Sequence, residues 1–407
     1  MSIDIFWRLP THGEPASHRS KTPNRWDLFP GYEGQHPGDS ATGYSYVDYL
    51  AEIAHAAEIS GFQGGLIPSF PMTDEPWVIS SVLARETKTF RFMIPFQPGF
   101  LHPVVAARMT ASLQRATGGR ALYNIITGGG GPQQLWWGDT VAHDDRYART
   151  TEFLDVVRGI WRGGPFTLKG KFYDVKDAGL PDPLSREEFP EIYFSGSSDA
   201  ALASASKHAD FYLTWLEPFA QLKEKFSRVR EKTAALGRRI KCAVRVDIVA
   251  RATEEEAWEE IRRGFESLDR QTVENFTGGP QAGTESIGAK RQAANRPKTI
   301  NSYKDLIIEP NVWSGFALLR GGQTQGLVGS YEQVAERLDQ LVALGTDAFI
   351  LASTPHLEEA YRVGEEVLPL VRGQHLSVNP ERVPNPSRDG AHPAKPAGSP
   401  RDLAAAG

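Results

Sequence analysis

Two charged residues, Arg245 and Asp247, stand two positions apart within a run of apolar residues. The run, Ile240–Ala250, has the composition of a β-strand, and residues two apart along a strand point to the same side. The alternate residues are apolar, so we expect them to face helices while the two charges face the interior of the fold. Because buried charge is unfavourable unless it is paired, the two residues indicate either a structural ion pair or a site for proton transfer and anion binding.

A second candidate site begins at Ser197 and Ser198, which follow a candidate strand and precede a helix starting near Ala200. Serine hydroxyls and free backbone N–H groups at the start of a helix bind anions, and the helix dipole reinforces this preference. The same serines would also serve as ordinary helix caps. A glycine run, Thr127–Gly131, would let the backbone approach a flat ligand closely, or would simply form a flexible turn. The run matches neither the dinucleotide-binding motif nor the ATP-binding motif.

Other classes of chemistry find little support. The ten histidines show no spacing typical of a zinc site, and the single cysteine, Cys242, cannot build a thiolate site or an intrachain disulfide. The G-x-S-x-G motif of serine hydrolases does not occur. The formal net charge of -5 provides no broad basic field for nucleic acid or an anionic membrane. With no secretory signal, and no apolar stretch near the roughly 18 residues of a membrane span, we expect a cytoplasmic protein.

The elements that must position these residues alternate along the chain. Short apolar runs are followed by longer segments of helical period, which is typical of parallel βα units. Eight such pairs predict an α/β fold, a closed (β/α)8 barrel with insertions, whose active site lies at the carboxyl ends of the strands. The eight candidate strands are Ile3–Leu9, Gly64–Pro68, Arg91–Phe96, Ala121–Thr127, Glu191–Ser195, Asp210–Trp215, Ile240–Ala250 and Asp347–Ser353.

The chain divides into one large domain and a tail. We expect the barrel to occupy residues 1–372, with Glu14–Gly43 as an extended first loop. The longest insertion, Arg270–Gly329, is rich in glycine and polar residues, and we expect its first part, Arg270–Lys304, to form a mobile lid. Its basic residues Arg291, Arg296 and Lys298 would carry positive charge towards an anion. Residues 373–407 are rich in proline, glycine and alanine, which predicts a flexible tail.

Several sequence blocks, in the same order along the chain, resemble the alkanesulfonate monooxygenases of the bacterial luciferase superfamily. The similarity runs from about residue 3 to residue 371, and its most specific part is the last block. The blocks are Ile5–Gly13, Gly119–Asn124, Tyr193–Asp199, Tyr212–Trp215, Glu309–Gly315, Leu319–Gly322 and Pro355–Gly364.

The resemblance implies a two-component monooxygenase. Such a protein receives reduced FMN from a separate NAD(P)H-dependent flavin reductase and uses O2 to oxidise a small substrate. In the family, an alkanesulfonate is cleaved to an aldehyde and sulfite. The flavin carries the oxygen chemistry, while the protein binds it, excludes water and supplies proton transfer. The resemblance also implies a homo-oligomer.

The resemblance assigns roles to particular residues of this sequence. It places the FMN phosphate near the two serines and the flavin ring across the mouth of the barrel. The cofactor-binding residues would be Pro68, Thr127, Arg146, Tyr147, Ser197, Ser198 and Trp215. The catalytic residues would be His12, Trp215, Arg245, Asp247, Thr354 and His356.

The sequence departs from the family pattern at four positions. Asp247 stands where the family has histidine, Thr354 where it has tyrosine and Thr73 where it has cysteine. Tyr303 or Lys304 stands where the family has an arginine on its mobile loop. Because a carboxylate cannot copy a histidine that donates a hydrogen bond, other substrates stay open: a sulfone, an amine or a heterocycle. A deazaflavin-dependent hydride transfer and a catalytically silent flavin-binding protein are further alternatives.

Overall fold

The computed structural model describes residues 3–11, 46–70, 73–277, 284–320 and 324–371. Several sequence predictions lie outside these residues: the catalytic role of His12, the extended loop at 14–43, the flexible tail at 373–407 and two short parts of the long insertion.

Eight parallel strands close into a barrel, as the sequence predicts. Hydrogen-bonded neighbours follow the order β9-β13-β1-β2-β3-β4-β7-β8, and a further pairing of β8 with β9 closes the ring. No boundary of these eight strands differs from its prediction by more than two residues. The strands are β1 (Asp4–Arg8), β2 (Gly64–Leu66), β3 (Arg91–Phe96), β4 (Ala121–Ile125), β5 (Phe166–Lys169), β6 (Asp174–Ala178), β7 (Ile192–Ser195), β8 (Phe211–Trp215), β9 (Lys241–Arg251), β10 (Ile307–Glu309), β11 (Val312–Trp313), β12 (Gly326–Ser330) and β13 (Ala348–Ala352).

Some of the helices that follow barrel strands or their extensions begin at side chains that cap them. Thr253 caps one whose first turn is acidic, and Ser330 with Gln333 forms a capping box at another. Within the described ranges, no helix is both long and apolar enough to cross a bilayer. The helices are α1 (Tyr46–Ile59), α2 (Pro76–Glu86), α3 (Pro103–Thr117), α4 (Pro132–Trp136), α5 (His143–Trp161), α6 (Asp199–His208), α7 (Phe219–Ala234), α8 (Glu254–Glu266), α9 (Arg270–Thr277), α10 (Ile287–Ala294), α11 (Phe316–Arg320), α12 (Tyr331–Ala343) and α13 (His356–Arg362).

The core has two layers, which the alternation of side chains along each strand produces. Along β9, Val244 and Val246 pack in the large cluster between strands and helices, whereas Ala243 packs in a smaller cluster with Phe6 and Tyr193. The smaller cluster is the interior of the barrel, filled by side chains as in other barrels of this size. The predicted inward face of β9 is therefore confirmed at Ala243.

The long insertion holds more regular structure than the loop that its composition suggests. Strands β10, β11 and β12 extend the sheet from the second half of β9, with β12 parallel to it. Trp313 and Phe316 of the insertion pack with Val249 in a third apolar cluster, so this part of the chain buries a core of its own. Gly326 is required at the junction, because a Cβ there would lie 2.3 Å from the Asp247 carbonyl oxygen.

Candidate active site

Most of the predicted site residues fall into two groups at the carboxyl ends of the barrel strands. We call the first the interior cluster; it points into the barrel. We call the second the rim cluster; it surrounds the start of α6. The interior cluster consists of Arg8, Trp215, Arg245, Asp247, Thr324 and His356, and the rim cluster of Arg146, Tyr147, Ser197 and Ser198.

Arg245 and Asp247 form the buried ion pair that the sequence left as one of two possibilities. Nη1 of Arg245 lies 2.9 Å from Oδ2 of Asp247, and Nη2 lies 3.4 Å from Oδ1. The Thr324 hydroxyl accepts a hydrogen bond of 2.9 Å from Arg245 and donates one to Asp247. All three residues are at least nine-tenths buried. Within this pair the positive and negative charges balance, and both side chains are largely buried.

Trp215 and Ala352 lie beside this ion pair in the barrel wall. Trp215, the last residue of β8, is the register partner of Arg245. Ala352, the last residue of β13, is the register partner of Asp247. Because paired residues of parallel strands point to the same face, the indole of Trp215 and the small Ala352 side chain border the two charged groups.

A second basic group stands across β13 from Asp247. Arg8 follows Trp7, the partner of Leu351, so it is level with Ala352. The Arg8 guanidinium lies 3.4 Å from Nε2 of His356, and both residues are buried. The Trp7 indole donates a hydrogen bond of 3.2 Å to the His356 carbonyl, which fixes the start of α13 against β1.

The rim cluster is built around the first turn of α6. Ser198 caps this helix by accepting from the Ala201 N–H at 3.2 Å. Gly196 adopts a φ of 150°, and a Cβ there would lie 3.0 Å from the Tyr147 hydroxyl. Burial raises the pKa of Tyr147, so its hydroxyl remains a hydrogen-bond donor near neutral pH.

Among the buried polar atoms that lack a hydrogen-bond partner within the described ranges are Nε of Arg146, Oγ1 of Thr127 and Oδ1 of Asn124. An unsatisfied buried polar group is unfavourable by about 1–3 kcal/mol. Asn124 lies in β4 and Thr127 two residues beyond its carboxyl end, while Arg146 lies in the first turn of α5. A ligand with polar atoms on a flat ring and on a phosphate suits these positions.

A segment of the insertion covers this side of the barrel. We call residues 284–295 the strap; they contain α10. A Cβ at Gly288 would lie 3.2 Å from the Trp215 ring and 3.7 Å from the Ser197 hydroxyl, so the strap passes over both clusters. Glu285 forms an ion pair with Arg146.

We expected from the sequence that Arg291 of the strap carries a free positive charge to the site, but the structure shows otherwise. Arg291 instead donates two hydrogen bonds to Glu217, at 2.9 and 3.1 Å. Glu217 is fully buried and also accepts from Lys225 at 2.6 Å. Farther along, the guanidinium of Arg296 stacks 3.7 Å from the centre of the Phe276 ring. Two of the three charges predicted to meet an anion, those of Arg291 and Arg296, thus contact a buried carboxylate and an aromatic ring.

The remaining candidates occupy supporting places. The Pro68 carbonyl, just beyond β2, accepts a hydrogen bond from the Thr11 hydroxyl at 3.3 Å. Thr354 is half-buried and joins Pro355 through a cis peptide bond directly before His356. Thr73 closes a turn by hydrogen-bonding the backbone of Phe70.

Sequence reasoning missed four residues that the structure brings to the site: Arg8, Asn124, Glu285 and Thr324. Alternation along β1 and β4 could have placed Arg8 and Asn124 on the inward face. Glu285 and Thr324 lie in the insertion, and their partners are 139 and 77 residues away along the chain. No local pattern indicates such contacts.

Comparison with known proteins identifies a family for this chain and supports its fold. Residues 30–348 match the family model described as luciferase-like monooxygenase. A solved structure of a riboflavin lyase, with modified FMN and riboflavin, superimposes with a TM-score of 0.71 at 18% identity and covers 91% of this chain and 92% of its own. For a long-chain alkane monooxygenase the TM-score is 0.68 at 19% identity, with 91% of each chain covered. For the EDTA monooxygenase of Chelativorans sp. BNC1 it is 0.67 at 18% identity, covering 91% of this chain and 94% of the other. At these identities the structural likeness shows the fold alone.

Proposed function

This chain belongs to the luciferase-like monooxygenase family, and we propose that it uses reduced FMN and O2 to oxidise a small substrate without a net negative charge at its reacting end. The observation that carries the substrate class is the buried, neutral Arg245–Asp247 pair with Thr324. The rim cluster supports the proposed cofactor, and the interior cluster supports the proposed substrate class.

The rim cluster supports a cofactor with a phosphate. Arg146 and Tyr147 supply a buried cation and a hydroxyl donor, and the start of α6 supplies Ser197 and backbone N–H groups. Thr127 and Asn124 offer buried polar atoms to the edge of a flat ring. When bound there, reduced FMN would supply the reaction with O2. The protein residues would orient the flavin and exclude water.

The interior cluster supports a neutral substrate through its charge balance. An arginine that faced the substrate alone would attract a sulfonate strongly, because a guanidinium binds an oxyanion with two parallel hydrogen bonds. Here Asp247 occupies both terminal nitrogens of Arg245. A sulfonate would therefore have to approach a buried carboxylate while gaining little from its arginine.

Asp247 would have a chemical role as well as a structural one. Its Oδ2 accepts from both Arg245 and Thr324, and its Cα stands level with Ala352 in the upper part of the barrel. A carboxylate held in this way can accept a proton from a substrate hydroxyl or amine. A sulfone, an amine or a heterocycle fits this environment.

Desulfonation of a small alkanesulfonate is the second candidate. The observation in its favour is Arg8, whose guanidinium is buried beside His356 on the other side of β13. These two residues would provide hydrogen-bond donors for an oxyanion away from Asp247. The products would then be an aldehyde and sulfite.

A separate NAD(P)H-dependent flavin reductase is the partner that would supply reduced FMN. The sequence offers no glycine-rich dinucleotide motif that would bind the nicotinamide cofactor in this chain. Nε of Arg146 in the rim cluster has no hydrogen-bond partner within the described ranges. A phosphate that binds and leaves with the flavin would use this nitrogen.

The two substrate classes can be separated by one assay. The chain is supplied with FMN, NADH, a flavin reductase and 18O2, and is offered matched panels of short alkanesulfonates and of neutral sulfones, amines and heterocycles. We expect one 18O atom in the product of a neutral substrate, and we expect Asp247→His to raise the turnover of sulfonates. Efficient release of sulfite by the unchanged chain would instead establish the second candidate. No labelled product from any substrate would count against a monooxygenase.

A further inference from the structure

We propose that Glu285 is a side-chain latch that competes with the phosphate of the flavin for Arg146, and thereby sets how tightly the site holds a phosphorylated flavin. The inference rests on the proposed function, because it takes Arg146 as part of the phosphate site. It adds a specificity-determining residue that lies in the insertion and that no sequence motif indicates.

Of the two guanidinium nitrogens of Arg146 that could bind a phosphate, Nε and Nη2, only Nη2 has a hydrogen-bond partner within the described ranges. Nη1 donates to the Val141 carbonyl at 2.7 Å, which holds the guanidinium in place. Nη2 donates to Oε2 of Glu285, while Nε is buried without a partner within the described ranges. Nε and Nη2 form the edge of a guanidinium that binds an oxyanion through two parallel hydrogen bonds. Glu285 thus uses one of the two positions that a phosphate would use.

The backbone of the strap brings the carboxylate to this point. The Glu285 N–H donates to the Gly129 carbonyl at 2.8 Å, and the Thr284 hydroxyl donates to the same oxygen at 3.4 Å. The carboxylate packs directly over Gly130, where a Cβ would lie 2.4 Å from Oε2. The glycine run that follows β4 therefore accommodates Glu285 in this state.

The latch can open without moving the strap. The Glu285 side chain is 46% exposed, so its carboxylate can rotate into solvent, whereas that of Arg146 is 4% exposed and fixed. Helix α10 keeps independent anchors: Arg291 on Glu217, and the Gln292 amide on the Leu216 carbonyl at 2.7 Å. In this proposal, rotation of the Glu285 side chain releases Nη2 of Arg146 while the strap stays in place.

Charge and geometry together favour the phosphate over the latch when FMN is present. A phosphate monoester carries between one and two negative charges near neutral pH and can use both Nε and Nη2, whereas Glu285 carries one charge and uses Nη2 alone. The latch would still lower the affinity for FMN, because its ion pair must be broken first. Riboflavin has no phosphate, so its binding leaves the latch closed and its affinity does not depend on Glu285.

The test compares Glu285→Gln with Glu274→Gln, which removes an exposed carboxylate of α9 in the same insertion. Dissociation constants of FMN and of riboflavin are measured for the full chain by quenching of flavin fluorescence. We expect Glu285→Gln to tighten FMN about 2- to 5-fold, the range for breaking a partly exposed ion pair, and to leave riboflavin unchanged. Glu274→Gln should change neither constant. Inorganic phosphate should compete with FMN at lower concentration in Glu285→Gln.

Three results would overturn the proposal. FMN affinity in Glu285→Gln that equals or falls below that of the unchanged chain would remove the competition, with the proposed function intact. Equal tightening of FMN and riboflavin would assign Glu285 to the flavin ring or to the strap, and not to the phosphate. A chain that binds neither flavin would overturn the proposed function together with the latch.

Discussion

The rim cluster and the interior cluster each contain an arginine beside a carboxylate, but the two pairs are built differently. At the rim, Glu285 is half-exposed and engages one nitrogen of Arg146. In the interior, Asp247 and Arg245 are both buried, and two nitrogens, two oxygens and a threonine hydroxyl take part. The rim pair can exchange its anion for another, whereas the interior pair cannot open without leaving a buried charge. Under the proposed function, the rim would exchange its anion for the phosphate of the flavin, while the charges of the interior pair would stay fixed.

The largest expected effect comes from breaking the interior pair. Arg245→Met leaves the Asp247 carboxylate buried without its cation, so we expect the free energy of unfolding to fall by about 3–5 kcal/mol. Glu285→Gln, which breaks the rim pair, should lower it by less than about 1 kcal/mol. Urea denaturation of both variants measures the two losses. The double variant Arg245→Met/Asp247→Leu should recover much of the interior loss, and similar losses at rim and interior would contradict the comparison.

The next effect concerns catalysis at the interior pair. Asp247→Asn keeps the shape of the side chain but removes its charge, so we expect turnover to fall about 100-fold if Asp247 accepts a proton. FMN affinity should stay within about twofold, since an uncharged amide can still accept hydrogen bonds from Arg245 and Thr324. Steady-state kinetics and a flavin titration separate the two quantities. An unchanged turnover would leave Asp247 as a structural partner of Arg245 alone.

The smallest effect is expected at the rim. Replacing Ser197 and Ser198 together by alanine should weaken FMN binding by roughly 1–3 kcal/mol, because hydrogen bonds to a charged group are lost. Ser198 also caps α6, whereas Ser197→Ala alone leaves that cap in place. Flavin fluorescence gives the affinities, and thermal denaturation reveals any loss of the cap. If the double variant binds FMN as tightly as the unchanged chain, the phosphate lies elsewhere.

The sequence predicted the barrel well, because its strands are short apolar runs with a regular alternation and clear flanking loops. The same alternation placed Arg245 and Asp247 on one inward face, where the structure finds them paired. The start of α6 followed from Ser198 and the strand before it, since a helix cap is a local signal.

The parts that could not be predicted depend on contacts between distant segments. Thr324 joins the Arg245–Asp247 pair from the far end of the insertion, and Glu285 reaches Arg146 across 139 residues of sequence. Arg291 was expected to face an anion, but the anion that it meets is Glu217, buried beyond β8. Composition shows that Glu285 and Arg291 are charged, but their partners are known only from the fold.

The most direct test of a reduced-FMN monooxygenase follows the flavin itself. The chain is mixed with reduced FMN without oxygen, then with O2 in a stopped-flow instrument, and the return of oxidised-flavin absorbance is compared with that of free reduced FMN. We expect the unchanged chain to alter this time course, and Arg146→Ala to restore that of the free flavin at the same concentration, because the phosphate loses its buried cation. A time course identical to that of free reduced FMN, with protein in excess, would contradict the account.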